Sequence, residues 1–401
     1  MWDIAQAAVF SKGERITAFR EQLPDKLFSL SIHDQLDTGW RLTSNTSRAL
    51  LDRLLKSGKP LGDLVEGRIY RGVLTGLNEA FIVNQSTRDR LIKEDPSCSA
   101  ILKPVLRGED LRPWYQEDEG RWLIFTRRGL DITAYPAVLS YLQQFRSQLE
   151  PRPSDWDEKH SWSGRKPGPY KWYEIQDSID YYNTFEKPKI FFPDITRKSR
   201  FSWGKPSVYV TNTGYFIPTD SYTLLGLLAS RTTWFVLSYI AQPLGERAGT
   251  LIYRLFRQYI ERLPIPSLTG AQRDTIGALA QQLTATAKQR YEVRHKTTHR
   301  IQNDLGTPQG SLNQRLAMWW ELPFKEFRSE IVKVFKHDIP LKDRDDWETL
   351  LRERTAEIGK LTDEIIELET LLNAEVYAAF GLNDDEIRLI EEETKYSYGE
   401  W

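Results

Sequence analysis

The chain has 401 residues and a single cysteine, Cys98, which excludes an internal disulfide framework and any zinc site built from a cysteine cluster. That scarcity suits a reducing compartment. No apolar run approaches the roughly 18 residues of a membrane span. Asp3, Lys12, Glu14 and Arg15 also interrupt the N-terminal apolar residues where a secretory signal would be continuous. The expected location is cytoplasmic, with no membrane partner. No repeat of domain size is visible. Gly245-Glu246-Arg247-Ala248-Gly249 lacks the strand-to-helix context of a phosphate loop and reads as a turn. Five histidines are scattered. His295 and His299 have the i, i+4 spacing of two helical metal ligands, but no Glu adjoins the first and no third ligand follows, so a solvated helix face is expected. Pro193-Asp194 resembles a nuclease carboxylate, yet no Glu-x-Lys or Asp-x-Lys follows within about 50 residues to complete a Mg²⁺ site. Asp194 therefore reads as a brace for a turn.

What is present is unevenly distributed. A chain of this length is long enough for two or three domains, each with its own core. The formal net charge is only −1, but Asp345–Trp401 holds 17 acids against 5 bases, leaving 50 bases against 39 acids before it. The first three-quarters is the basic part. Between Trp156 and Trp203 its bases interleave with aromatics: Trp162, Arg165, Lys166, Tyr170, Lys171, Trp172, Tyr173, Lys189, Arg197, Lys198 and Arg200. Such a surface can hold phosphates through Lys and Arg and pack rings on sugars or an unstacked base.

The pattern of elements predicts an order. Residues 1–60 form a lead-in that ends in a short helix over Thr46–Lys56, with leucines 50, 51, 54 and 55 on one face. Residues 61–266 read as a mixed α/β domain, a curved antiparallel-rich sheet with helices near 135–149 and 221–240. Ile69–Leu74, a turn at Thr75–Asn78 and Ala80–Val83 predict a tight β-hairpin. Leu263-Pro264-Ile265-Pro266 marks an exit from this domain. Thr269-x-x-Gln272 is a capping box that opens a long helix to about residue 303. A second helix carries Leu351, Ile358, Ile365 and Leu372 seven apart, with Leu361 and Leu368 interleaved. Residues 267–401 thus read as an α-helical spacer or coiled-coil region. Its seam is expected to pack on the 270–303 helix, and its acidity keeps it from DNA.

Gly67 to Asn84, G-R-I-Y-R-G-V-L-T-G-L-N-E-A-F-I-V-N, is very similar to the opening of the target-recognition domain in the TaqI-like specificity family. Ile101–Tyr115, Trp122–Leu149, Lys187–Phe201 and Tyr209–Thr219 resemble the family's later blocks, in order. Ala374–Tyr377, Phe380–Leu382 and Asp384–Ile387 resemble its ending. In that family the domain forms the C-terminal half of bacterial N6-adenine DNA methyltransferases and of fused type II restriction-modification enzymes.

The resemblance implies a module that binds double-stranded DNA sequence-specifically and directs an adenine methyltransferase domain or subunit in restriction-modification or phage defence. Neither a glycine-rich loop for S-adenosylmethionine nor the Asn/Asp-Pro-Pro-Tyr/Phe motif for a flipped adenine occurs here. The cofactor would bind the methyltransferase half, and this chain is expected to have no chemistry of its own. Candidate DNA contacts are Arg71, Thr75 and Asn78 at the hairpin; Lys103, Arg107 and Arg112; Trp162, Arg165, Lys166, Tyr170, Lys171 and Trp172; and Arg197, Lys198, Arg200 and Trp203. Asn suits adenine and Thr a thymine methyl, although Thr75 and Asn78 equally suit local turn bonding. Trp114 and Trp122 read as core. Two other readings stay open: a Mg²⁺-dependent nuclease built around Asp194, and a helical scaffold that binds only protein, such as a decoy partner of a methyltransferase.

Overall fold

The computed structural model describes residues 4–8, 21, 23–24, 27–31, 45–157, 159–247, 249–306 and 312–400. Most of residues 1–44 therefore lies outside the described residues. The N-terminal part holds β1 (Ile4–Ala8) and β2 (Leu27–Ser31), paired antiparallel, then α1 (Asn45–Lys56) and β3 (Gly58–Pro60). There follow β4 (Tyr70–Arg71), β5 (Ile82–Asn84), α2 (Gln85–Glu94), β6 (Leu102–Leu106), β7 (Arg121–Ile124) and α3 (Pro136–Gln143). Next come β8 (Lys189–Pro193), β9 (Ile195–Thr196), β10 (Ser202–Gly204), β11 (Tyr209–Val210) and β12 (Gly214–Pro218). The lobe closes with α4 (Tyr222–Ala229), α5 (Arg231–Ile240), β13 (Gln242–Arg247), β14 (Thr250–Arg254) and β15 (Pro264–Pro266).

Two four-stranded sheets organise the lobe, in the orders β10-β8-β12-β4 and β11-β6-β7-β5. All pairs in them are antiparallel except β11 with β6. The alternation of β8 and β12 explains how they stack. Ile190, Phe192, Tyr215 and Ile217 face a core completed by α1, α4 and α5, while Phe191 and Phe216 face the second sheet beside Tyr209 and Val210. The chain enters and leaves the lobe through one ladder, β15 on β3, so Leu263-Pro264-Ile265-Pro266 does mark its exit.

The expected hairpin over residues 69–83 does not form. Tyr70 and Arg71 pair with Phe216 and Tyr215 of β12, Val73 bridges Thr211, Asn78–Phe81 coil into a helical turn, and β5 pairs with β7. An isolated hairpin is marginal in water, whereas this split buries Ile69 in the first core and Val73 and Phe81 in the second. Gly76, at φ +83°, still turns the chain, but between two sheets. The turn expected at residues 245–249 is the end of a longer β13–β14 hairpin.

Beyond the lobe, α6 (Gly270–Leu305) starts at the expected capping box: Thr269 accepts from Gln272 N–H, and Gln272 Oε1 accepts from Thr269 N–H. After α7 (Phe324–Phe335), α8 (Arg344–Ala379) runs back along α6, and α9 (Asp384–Glu393) follows. Thr286 meets Glu364, Arg290 meets Thr362, and Arg300 lies over Trp347, which makes α6 and α8 antiparallel. The six seam residues of α8 are all buried. Ile365, Leu368 and Leu372 join the lobe's first core, and Leu351, Ile358 and Leu361 join a separate one with Trp319, Phe327 and Ile331. The helical pair thus belongs to two cores at once. The C-terminal tail ties them together: Arg290 donates to Gly399 O, Arg231 to Tyr396 O, and Glu369 accepts from Gly399 N–H and from Trp114 Nε1. Among the described residues no helix is long and apolar enough to cross a membrane.

Candidate nucleic-acid interface

Four loops converge where the two sheets meet. Gly72 N–H donates to Gly214 O (2.9 Å), Val73 N–H to Val210 O (2.8 Å) and Asn212 N–H to Val73 O (2.9 Å), so the 72–78 and 210–214 loops run side by side. Thr211 N–H donates to Leu106 O (2.9 Å) and Gly108 N–H to Thr213 Oγ1 (2.9 Å), which adds the 106–110 loop. Asp194 N–H donates to Thr213 O (2.9 Å) and brings in the fourth. Such close approach requires glycine at two places. A Cβ on Gly72 would lie 2.2 Å from Thr211 O, and one on Gly108 2.1 Å from Thr213 O. These glycines of the G-x-x-x-x-G and L-R-G runs are therefore scaffold.

The loops enclose an open cleft of about 500 Å³ lined by Asn78, Arg107, Glu109, Asp194, Ile195 and Arg200. Arg71 is exposed at the rim, with Nε donating to Asn212 O. Arg107 faces the cleft with its amide on the Asp110 carboxylate, which Arg121 neutralises at 2.7 Å. Its guanidinium makes only an exposed pair with Glu109 at 3.3 Å, an interaction of little worth in water. Arg200 has no ion-pair partner among the described residues, and its Nε finds no acceptor. Burial, with Arg112 and Arg197 nearby, pulls its guanidinium down to about 10, so it remains charged at neutral pH. Three arginines thus converge with little to neutralise them. An anion with several acceptor oxygens suits that field.

Asp194 is buried and ion-paired with Arg254 of β14 at 3.1 Å. It braces the loop against the hairpin, and among the described residues no three metal-ligating side chains cluster. His295 and His299 are exposed on α6, as expected. Nothing local in the sequence signals the Asp194–Arg254 pair, because the partners are 60 residues apart.

The other expected contacts divide sharply. Thr75, Arg165, Tyr170 and Lys198 are 1%, 4%, 7% and 6% exposed and have internal partners, so they are scaffold in this structure and not available surface. Thr75 Oγ1 donates to Asn78 Oδ1 (2.7 Å), the local turn bond weighed against base contact. Lys198 pairs with Glu400 (2.9 Å), and the Tyr170 hydroxyl donates to Lys166 O. Arg165 is the hub of the basic–aromatic segment. Its Nε donates to Leu149 O, Nη1 to Thr75 O and Glu174 O, and Nη2 to Lys171 O and Trp172 O. All five guanidinium protons are used.

Several aromatics are engaged as well. Trp162 donates to Glu150 O and packs edge-on against Trp156, Arg146 covers the Trp172 ring, and Trp203 stacks on Tyr222. Arg112 pairs with Glu117 (2.6 Å) and Lys103 with Glu186 (3.8 Å). Trp114 is buried as expected, whereas Trp122 is only half-buried beneath Arg88. Lys166, Lys171 and Arg197 are exposed.

Comparison with known proteins matches residues 103–265 to the TaqI-like C-terminal specificity domain and residues 269–376 to a domain of unknown function. The chain is 26% identical over 235 residues to the type II methyltransferase M.PaeR7I of Pseudomonas aeruginosa, covering 57% of this chain and 37% of that protein. It therefore spans little more than a third of that relative. Among solved structures, the type IIL restriction-modification enzyme MmeI in complex with DNA aligns at TM-score 0.44 and 15% identity, over 82% of this chain and 35% of that one. The type IIG restriction endonuclease BpuSI aligns at TM-score 0.39 and 14% identity, over 88% and 36%.

Proposed function

We propose, on the premise that residues 103–265 are a TaqI-like C-terminal specificity domain, that the chain recognises a short duplex DNA sequence for a restriction-modification or phage-defence system. Arg71, Arg107 and Arg200 would hold phosphates and set the register, leaving base readout to other side chains. The observation that carries this reading is that the matched span supplies Arg107 and Arg200 to one open cleft, with Arg200 lacking any ion-pair partner among the described residues. Methyl transfer to adenine N6 would belong to a methyltransferase domain or subunit that holds S-adenosylmethionine, since neither of its motifs is in this sequence.

The test is selection of bound duplexes from a random pool near physiological salt. Enrichment of one short motif is expected, together with affinity that falls linearly in a log–log plot against salt. Replacing Arg71, Arg107 and Arg200 with Ala should weaken binding to all sequences alike and lower that slope by about one for each phosphate no longer neutralised. No enrichment by the chain, alone or with its methyltransferase, would sink the reading and favour a scaffold that binds only protein.

A further inference from the structure

In the β13–β14 hairpin, β13 forms the outer edge of the three-stranded sheet β13-β14-β9. Every residue described in β13 is exposed, and Leu244 and Leu251 are 44% and 45% exposed. A bare edge strand with exposed leucines invites aggregation, so folded proteins usually cover or charge it. Here it is anchored at its base, where Tyr253 and Arg254 pair with Thr196 and Ile195 of β9.

Its two faces differ. Register places Leu251 and Tyr253 with Pro243 and Glu246 on one face, and there Tyr253 packs on Trp234 toward the core. The other face carries Thr250, Ile252 and Arg254 opposite Arg247, Gly245 and Gln242. That second face continues into the arginine cleft. Arg254 pairs with Asp194, and Ile195, 46% exposed, lines the cleft beside them. The acid at its base is the one that Arg254 neutralises, while Glu246 is on the opposite face. Beyond β9 the ribbon extends about three or four residues, roughly 10–13 Å at about 3.3 Å per residue.

We propose that this ribbon is the base-reading element of the chain, laid in the major groove of duplex DNA with Gln242, Arg247 and Ile252 toward the base edges. The inference rests on the proposed function and adds where its specificity resides. A major groove about 12 Å wide and about 8.5 Å deep admits a two-stranded β-ribbon of this reach. The side chains are of the right kinds: arginine forks onto guanine, glutamine onto adenine, and an aliphatic group packs on the thymine methyl. Phosphates held by Arg71, Arg107 and Arg200 would fix the duplex beside the ribbon's base, and the face without a free carboxylate would meet the bases. The segment 156–173 then serves as scaffold held by Arg165.

The experiment repeats the duplex selection with three proteins: the unsubstituted chain, a Gln242→Ala/Arg247→Ala variant, and a Lys166→Ala/Lys171→Ala variant. All four side chains are exposed, and unchanged melting temperatures would confirm that folding is intact. Arg254 is left alone because its loss would leave Asp194 unpaired in the cleft. The expected result is that the ribbon variant relaxes one or two motif positions by roughly tenfold or more, while the 166/171 variant keeps the motif. If the unsubstituted chain enriches a motif and the ribbon variant enriches the same one at undiminished stringency, the ribbon inference alone is overturned. If the unsubstituted chain enriches nothing, alone or with its methyltransferase, the proposed function falls, and the ribbon inference with it.

Discussion

Arg165 is a candidate phosphate contact by composition and a staple by structure, and replacing it separates the two. The guanidinium binds carbonyls of Thr75, Leu149, Lys171, Trp172 and Glu174 and lies over the Tyr170 ring at 4.5 Å. Burial pulls it down to about 10, so it is charged at pH 7. Arg165→Ala strands five carbonyls. Each hydrogen bond from a charged donor contributes about 1.5–3 kcal/mol in isolation. They are not additive, because water can enter part of the vacated site, so the expected loss is about 3–5 kcal/mol, typical of breaking a buried charged network. Lysine does not rescue it, since three donors on a point charge cannot span five carbonyls.

The assay is amide hydrogen exchange. Ile175 N–H donates to Thr126 O, Gln176 N–H to Thr75 O and Arg165 N–H to Glu150 O. If their opening passes through the stapled state, protection of these amides should fall by about a hundredfold or more, since about 1.4 kcal/mol is a factor of ten. The slope of DNA affinity against salt should stay unchanged. Protection within a few-fold of the unsubstituted chain, or a salt slope reduced by about one with stability intact, would refute the reasoning.

Three further outcomes are expected. Gly72→Ala places a methyl group 2.2 Å from Thr211 O, so it should destabilise the chain by about 1–3 kcal/mol, and an unchanged urea midpoint would contradict the close-approach argument. Asp194→Asn frees Arg254 and removes a carboxylate from the cleft, so duplex affinity should rise several-fold; a Mg²⁺-dependent cleavage that this substitution abolishes would instead establish the nuclease reading. Glu369 is held above the usual carboxylate range, first by burial and against the pull of its Trp114 and Gly399 hydrogen bonds. With its folded pKa raised, the folded state binds the extra proton above the unfolded pKa of about 4.3, so stability should decline as pH rises from there to the folded value. Glu369→Gln lacks that titration, and the stability of the unsubstituted chain relative to this variant should fall as pH rises above about 4.3. A difference that stays flat or grows, followed by chemical denaturation, would be the contrary result.

Elements whose signals are local are legible in the residues themselves. The Thr269 capping box, the heptad seam from Leu351 to Leu372 and the leucines of α1 each lie within a few turns of one helix, where 3.6-residue spacing and end chemistry are sufficient. Pairing is not legible. Tyr70 and Arg71 have a good turn beside them, yet their partner, β12, lies about 145 residues on, because the stable ladder is the one that buries both faces, and no local turn encodes that. The same limit governs the site. Arg107 and Arg200 can be named from composition, but that Arg200 stays unpaired while Arg165 is saturated depends on which carbonyls and carboxylates four distant loops bring within 3 Å or so. Sequence determined the helices, the charge asymmetry and the family resemblance. Only the tertiary structure decided which bases are scaffold and which face the cleft, because a guanidinium satisfied by distant backbone and one left without an ion-pair partner have the same local sequence signature.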